Sequence, residues 1–318
     1  MGRRGPRGSR IHQGLTGERA LIGTRYLADE GLRREYAAEI APRTELALAR
    51  ILAEVFGPAA APPARALDLG AGTGAAGAAL RQRFGASLEV TAVDRVAGPG
   101  IVVADLAREL PPVGGRFDLI VSAHMLGELY LDEAPAARAE ARARRVLAWQ
   151  RALLAEGGTI ILIEPALRET SRGLLALRDR LIAAGLHVVA PCFWTGPCPA
   201  LARERDWCHD AAPAPSAPRV DFSYLVLRAA PSAPATTPAT TFRVVSDPMP
   251  EKGRLKLFGC GPAGRQALVR LDRAASATNA TFARLQRGDA AEIVGLVEAP
   301  DGLRLSPETT VVSRAPGR

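Results

Sequence analysis

At 318 residues the chain is longer than a single core usually grows, so it divides into two domains or one domain with an appendage. Its 47% hydrophobic content supplies a packed interior, yet no run of roughly 18 apolar residues is present, which excludes a membrane-spanning helix. Basic residues number 41 against 33 acidic ones, a net charge of +8 that suits a phosphate-rich partner such as nucleic acid.

The start, MGRRGPRGSR, is basic and no apolar region follows it, so it is not a secretory signal. Residues 1–15 read as a flexible basic arm able to lie on RNA. Without an export signal the protein is expected in the cytoplasm, as a monomer with reduced thiols. Residues 16–60 read as a helical region, because apolar positions recur three and four apart, with Pro42 separating two helices. The stretch GPAAAPPA (57–64) is a linker.

From residue 61 to 229 short β-like runs alternate with helical stretches. The runs are RALDLG (65–70), LEVTAVD (88–94), GIVVADL (100–106), FDLIVSAHML (117–126), GTIILIEP (158–165), HVVAPC (187–192) and FSYLVLR (222–228). Helices are expected around 74–84, 132–155 and 169–184. Such alternation predicts an α/β fold with a mostly parallel, doubly wound sheet. The last two runs lack an obvious helix between them, as in the class I methyltransferase variant whose final strand is antiparallel. A second linker, APSAPATTPAT (230–240), precedes a small β-rich C-terminal domain over 241–318, in which FRVVSDP, GRLKLFGC, ALVRLD and AEIVGLVE alternate in strand fashion.

The stretch ALDLGAGTGAAGAAL is an apolar strand ending near Asp68, then a turn with Gly70, Gly72 and Gly74, then a helix of small residues. Glycine permits the sharp turn and lets a ligand approach the main chain. Asp94 ends the next strand about twenty residues on, where a carboxylate can bind ribose hydroxyls. A nicotinamide dinucleotide is one reading. The DLGAGTG form instead resembles the S-adenosylmethionine (SAM) motif of class I methyltransferases, which implies that Asp105, after the third strand, lies near the adenine. At the end of the fourth strand, SAHMLGEL offers His124 and Glu128 as a base and its orienting carboxylate, or as a pocket wall and a helix cap. It lacks the N/D-P-P-Y/F tetrad of amino-directed nucleic-acid methyltransferases.

Cysteine is scarce. Three of the four, Cys192, Cys198 and Cys208, fall in PCFWTGPCPALARERDWCHD, a Cys-rich insertion within 191–220, and Cys260 follows in LKLFGC. Their C-x5-C-x9-C spacing lacks the close C-x2-4-C knuckles of zinc ribbons and suits a [4Fe–4S] cluster, with zinc as the alternative. His209 is an alternative ligand. Ligands drawn from two domains would clip them together.

Taken with YLADEGLRREYAAEI, HMLGEL and the IEP strand end, these stretches resemble the Rsm family of mitochondrial small-ribosomal-subunit proteins, known in animals as methyltransferase-like protein seventeen, and its bacterial homologues. The resemblance implies a class I fold, a four-cysteine [4Fe–4S] site on Cys192, Cys198, Cys208 and Cys260, and a SAM site on the glycine loop with Asp94. It also implies association with the small ribosomal subunit and its ribosomal RNA in support of translation.

Overall fold

The computed structural model describes residues 9–58, 60–215, 219–229, 240–261 and 263–314. Residues 1–8 of the basic arm and 230–239 of the second linker lie outside them.

Near the N-terminus α1 (Arg10–His12), which buries Ile11, forms within the stretch expected to be a flexible arm, and α2 (Glu30–Glu39) and α3 (Ala41–Val55) follow in the stretch expected to be helical. The Asp29 carboxylate caps α2 by accepting from the Leu32 amide at 2.8 Å. Pro42 does not sit between helices but in the first turn of α3, where its missing N–H costs nothing. Thr44, Ala47, Leu48, Ile51 and Leu52, spaced three and four apart, bury one face of that helix.

The α/β region runs β1 (Arg65–Leu69), α4 (Ala75–Phe84), β2 (Glu89–Asp94), β3 (Ile101–Val103), β4 (Phe117–Ala123), α5 (Pro135–Leu153), β5 (Leu154–Pro165), α6 (Arg168–Ala183), β6 (His187–Ala190), β7 (Asp210–Ala212) and β8 (Val220–Arg228). Along the sheet the order is β3-β2-β1-β4-β5-β8-β6, with β7 added against β8. β8 runs antiparallel to both β5 and β6, and the other pairings along this path are parallel. This is the class I methyltransferase sheet that the strand spacing predicts. Successive strand residues face opposite layers. In β5, Ile160 and Leu162 pack toward α5 and α6, whereas Ile161 and Ile163 pack toward α3 and α4. Chain direction across the sheet reverses between β1 and β4, and the crevice outside their C-terminal ends is where such folds bind ligands.

The C-terminal strands are β9 (Thr241–Val244), β10 (Met249–Glu251), β11 (Arg254–Gly261), β12 (Gly264–Leu271), β13 (Ala290–Ala299) and β14 (Gly302–Ser313). They follow the order β10-β11-β12-β14-β13-β9, and β9 also pairs with β11, so five strands close a ring around Phe242, Leu257, Leu268, Phe282, Ile293 and Leu305. No helix among the described residues is long and apolar enough to cross a membrane.

A buried ionic node joins the two sheets. Arg243 of β9 pairs with Glu54 of α3 and donates to the carbonyls of Gly288 (2.6 Å) and Pro191 (3.1 Å), with Asp210 of β7 at 3.9 Å. The Tyr224 hydroxyl donates at 3.0 Å to the Glu54 oxygen that also accepts from Arg243 at 3.2 Å, and Arg50 of α3 reaches the Gly288 carbonyl at 3.1 Å. Burial opposes the Arg243 charge, but these acidic neighbours more than restore it.

Candidate functional site

The chain leaves β1 through Gly70 at φ +79°, and a Cβ there would lie 2.4 Å from that of Met125, so glycine is required twice over. Gly72 donates its amide to Asp94 at 2.9 Å, and the other Asp94 oxygen accepts from Val96 at 2.8 Å. Gly74, at φ +86°, starts α4. Asp68 lies beneath the loop rather than on its open side, accepting from the Gly77 amide at 3.2 Å. Burial, opposed by that amide, pushes its carboxyl up to about 7.

Above this loop is a cavity of about 650 Å³ lined by Gly70, Gly72, Asp94 and Asp105 among others. Of the six residues expected to bind a cofactor, these four reach it, while Asp68 and Gly74 shape the loop from outside. Residues 22–27 of the N-terminal segment lie over the cavity and are pinned there. Glu128 accepts from the Gly23 amide (3.1 Å), the Tyr26 hydroxyl (3.3 Å) and Arg95 (3.2 Å), and Arg95 also donates to the Gly23 and Thr24 carbonyls.

A second cavity, of about 390 Å³, shares Ile22, Tyr26, Tyr36, His124 and Glu128 with the first, so the two are neighbouring lobes. Beyond the shared wall it is lined by His12, Arg19, Arg43 and Arg219, and by Glu164 at the end of β5. His124 adopts φ +60°, a conformation uncommon outside glycine, and donates its amide to Ile163 at 2.8 Å. Burial lowers its imidazole to about 4, so it is neutral at pH 7. Its buried Nδ1 has no partner, so Glu128 does not orient it through that nitrogen.

Glu164 went unremarked as a site residue in the sequence. It accepts from the Gly127 amide at 2.8 Å, and burial pushes its carboxyl up to about 7. Because the folded value lies above the ordinary 4.5, the native state holds the extra proton and stability falls as pH rises from about 4.5 to about 7. The Glu164→Gln variant should lose about 3 kcal/mol of the stability difference between pH 5 and pH 8 that urea unfolding records for the parent. An unchanged difference would place this carboxyl in water.

The four thiols, free of disulfides, line one cavity of about 40 Å³. Cys192 and Cys198 come from the loop after β6, Cys208 from just before β7, and Cys260 from β11. The loop is strapped to α6. Buried Arg178 donates to the carbonyls of Gly196 (2.9 Å) and Trp194 and pairs with Asp179, which accepts from the Cys198 amide at 3.0 Å. One turn and a half earlier, Arg172 donates to the carbonyls of Ala200, Arg203 and Asp206. Burial raises Cys198 to about 11 and Cys260 to about 12, and pushes Cys208 higher still. His209 lines an adjoining cavity and not this one. No group of three or more His, Cys, Asp or Glu among the described residues is placed to hold a single metal ion.

The family model described as mitochondrial small ribosomal subunit Rsm22 matches residues 33–268. The chain belongs to this family. Among curated proteins none matches the chain. Among solved structures, mitomycin 7-O-methyltransferase MmcR aligns at 15% identity and TM-score 0.38, over 70% of this chain and 61% of that one. The 1,6-didemethyltoxoflavin-N1-methyltransferase of Burkholderia thailandensis aligns at 18% and 0.38, over 71% and 92%. The N-methyltransferase NodS of Bradyrhizobium japonicum aligns at 16% and 0.38, over 69% and 98%. In this Rsm22 family chain the matched span takes in the glycine loop and all four cysteines, while residues 12–27, which line part of both lobes, precede it. Arg95, Arg172 and Arg178 carried no sequence signal, since 41 basic residues with only Lys252 and Lys256 as lysines leave no single arginine conspicuous.

Proposed function

We propose that the protein binds SAM and acts on the small ribosomal subunit, methylating its RNA or assisting its assembly in support of translation. The observation that carries this reading is the pair of adjoining lobes at the sheet's switch point, one over the glycine loop and one beyond His124. Residues in the first lobe fit the cofactor. Gly70 and Gly72 leave the backbone bare for close approach, Asp94 is held by two amides with lone pairs to spare for ribose hydroxyls, and Asp105 stands where the adenine is expected. Bound SAM supplies an electrophilic methyl group. In the second lobe neutral His124 forms part of the wall, and Glu164, titrating near 7, holds or takes a proton there. Transfer of labelled methyl from SAM to isolated small subunits should occur with the parent and fall with Glu164→Gln.

A specific observation favours a second reading, an RNA clamp without turnover. Glu128 is already occupied in pinning the N-terminal segment, which leaves it no free role as base or orienting group. Subunit binding with intact SAM affinity and no label transfer would favour that clamp.

We further assign Cys192, Cys198, Cys208 and Cys260 as ligands of a [4Fe–4S] cluster, with zinc as the alternative. The donor set supports this, for four thiols and no carboxylate or imidazole line the cavity. When bound, such a group would cross-link the cysteine loop, through Cys192, Cys198 and Cys208, to the barrel, through Cys260. Protein purified without oxygen should carry about four irons and four sulfides per chain, lost in Cys208→Ser. Zinc alone would overturn the cluster, and no metal would overturn the ligand assignment. The family description names the mitochondrial subunit, so the compartment follows the ribosome served rather than the cytoplasmic expectation alone.

A further inference from the structure

The C-terminal ring has a specific connectivity. Taken in chain order without the edge strand β10, its five strands β9, β11, β12, β13 and β14 pair as first with second, second with third, third with fifth, fifth with fourth, and fourth with first. The third and fifth run parallel and every other pair is antiparallel. That is the Greek-key barrel of the oligonucleotide/oligosaccharide-binding fold, whose second and third strands present the face on which oligonucleotides lie. A fold does not establish a function, so the chemistry of that face decides.

Alternation along β11 sends Leu255 and Leu257 toward the barrel core and Arg254, Lys256, Phe258 and Cys260 to the other side. The register sets Ala267 opposite Phe258 and Arg265 opposite Cys260, and β14 brings Arg304 alongside Val269. Phe258 carries two cations on its ring, with Lys256 Nζ 5.0 Å and the Arg265 guanidinium 4.6 Å from the centroid. Lys256 is in no ion pair among the described residues. The remaining cations of the face are partly compensated, Arg265 by Asp206, and Arg254 and Arg304 by Glu251 and Asp301. At the Cys260 end the face continues into the cysteine loop, where Trp207 is 38% exposed, stacks on His209, and lines the same cavity as Cys260 and Arg265. Two aromatic rings and a group of cations thus share one side of the barrel.

We propose that this face binds a single-stranded segment of RNA that stacks a base on Phe258, sets phosphates against Lys256 and the neighbouring arginines, and runs toward Trp207. Charge complementarity selects a polyanion, and the aromatic platform selects unpaired bases, because bases inside a duplex already spend both faces on each other. The inference rests on the ribosomal-RNA reading above for the identity of the strand. It requires neither methyl transfer nor the iron–sulfur group.

Fluorescence anisotropy of the full chain tests it, using a labelled RNA of about 12 nucleotides, within the span such a face covers, as a single strand and as a duplex. The single strand should bind more tightly. Phe258→Ala should weaken it roughly 5- to 150-fold while leaving the duplex little changed, and Phe258→Tyr, which keeps the ring, should restore it. Lys256→Gln should reduce the steepness of the salt dependence by about 0.7 per decade of salt. SAM affinity, read in parallel, reports that each variant is folded. Equal affinity of Phe258→Ala and parent for the single strand would overturn the face while leaving RNA association standing. Preference for duplex would overturn the single-strand assignment. Failure of the parent to bind RNA in either form would overturn both this inference and the ribosomal reading.

Discussion

Replacing Arg243 with methionine should destabilise the protein by about 3–5 kcal/mol, the cost of leaving buried carboxylates without their cation. Glu54 and Asp210 would both be stranded, one on α3 and one on β7, with the Gly288 and Pro191 carbonyls losing their donor as well. The effect exceeds that of an ordinary ion pair because Arg243, on the barrel strand β9, is only 4% exposed and both of its carboxylate partners come from the α/β region. Methionine fills the stem's volume, so the loss is electrostatic rather than a cavity. Urea unfolding followed by tryptophan fluorescence and by far-ultraviolet dichroism reads it. The two signals should cease to coincide, since Trp149, Trp194 and Trp207 all belong to the α/β region and its loop while the barrel contributes only to the dichroism. A loss below about 1 kcal/mol would show that water reaches the node. Glu54→Gln should cost less, since its amide oxygen can keep the place of the carboxylate oxygen shared by Tyr224 and Arg243.

Asp94→Ala should weaken SAM binding roughly 10- to 150-fold, the worth of about 1.5–3 kcal/mol for hydrogen bonds to a charged group. Its carboxylate does two jobs at once, holding the Gly72 amide and, in the proposed complex, receiving the ribose. Losing it therefore loosens the glycine loop as well as removing a contact. Asp105→Ala is the control. That side chain is half exposed and its pairing with Arg108 is at the surface, so a loss of only a few fold is expected. Calorimetric titration of SAM into each variant separates the two. Equal losses would mean that the cofactor is anchored elsewhere in the cavity.

The α/β half was legible because its signals are local. Each of the seven apolar runs became a strand, DLGAGTG became the loop, and the missing helix before FSYLVLR became the antiparallel position of β8. What escaped depends on contacts between distant segments. β7 and β10 have three residues each, too few to show a period, and β14 carries Pro307 and a stretch of polar residues that mask its alternation. Without β14 the ring could not be inferred, and the C-terminal part read only as β-rich. The same limit applies to the site. Gly72 and Asp94 follow from spacing, whereas the second lobe needs Arg19, Arg43 and Glu164 to be brought together across some 145 residues of chain. Glu128 illustrates a further gap. Its position after β4 suggested chemistry, and only its partners Gly23, Tyr26 and Arg95 reveal it as the fastening of a cover.

Arg243 stands in the wall of the thiol cavity as well as between Glu54 and Asp210. Its strand is hydrogen-bonded in register with Cys260, residue against residue. Lifting the barrel from α3 would therefore carry one of the four sulfurs away from the other three, which α6 keeps in place through Arg172 and Arg178. Domain attachment and a complete set of sulfurs are then a single equilibrium viewed from two sides. In the proposed metal-bound form, an occupant of the sulfurs would tighten the joint, and loosening the joint would release that occupant by the same factor.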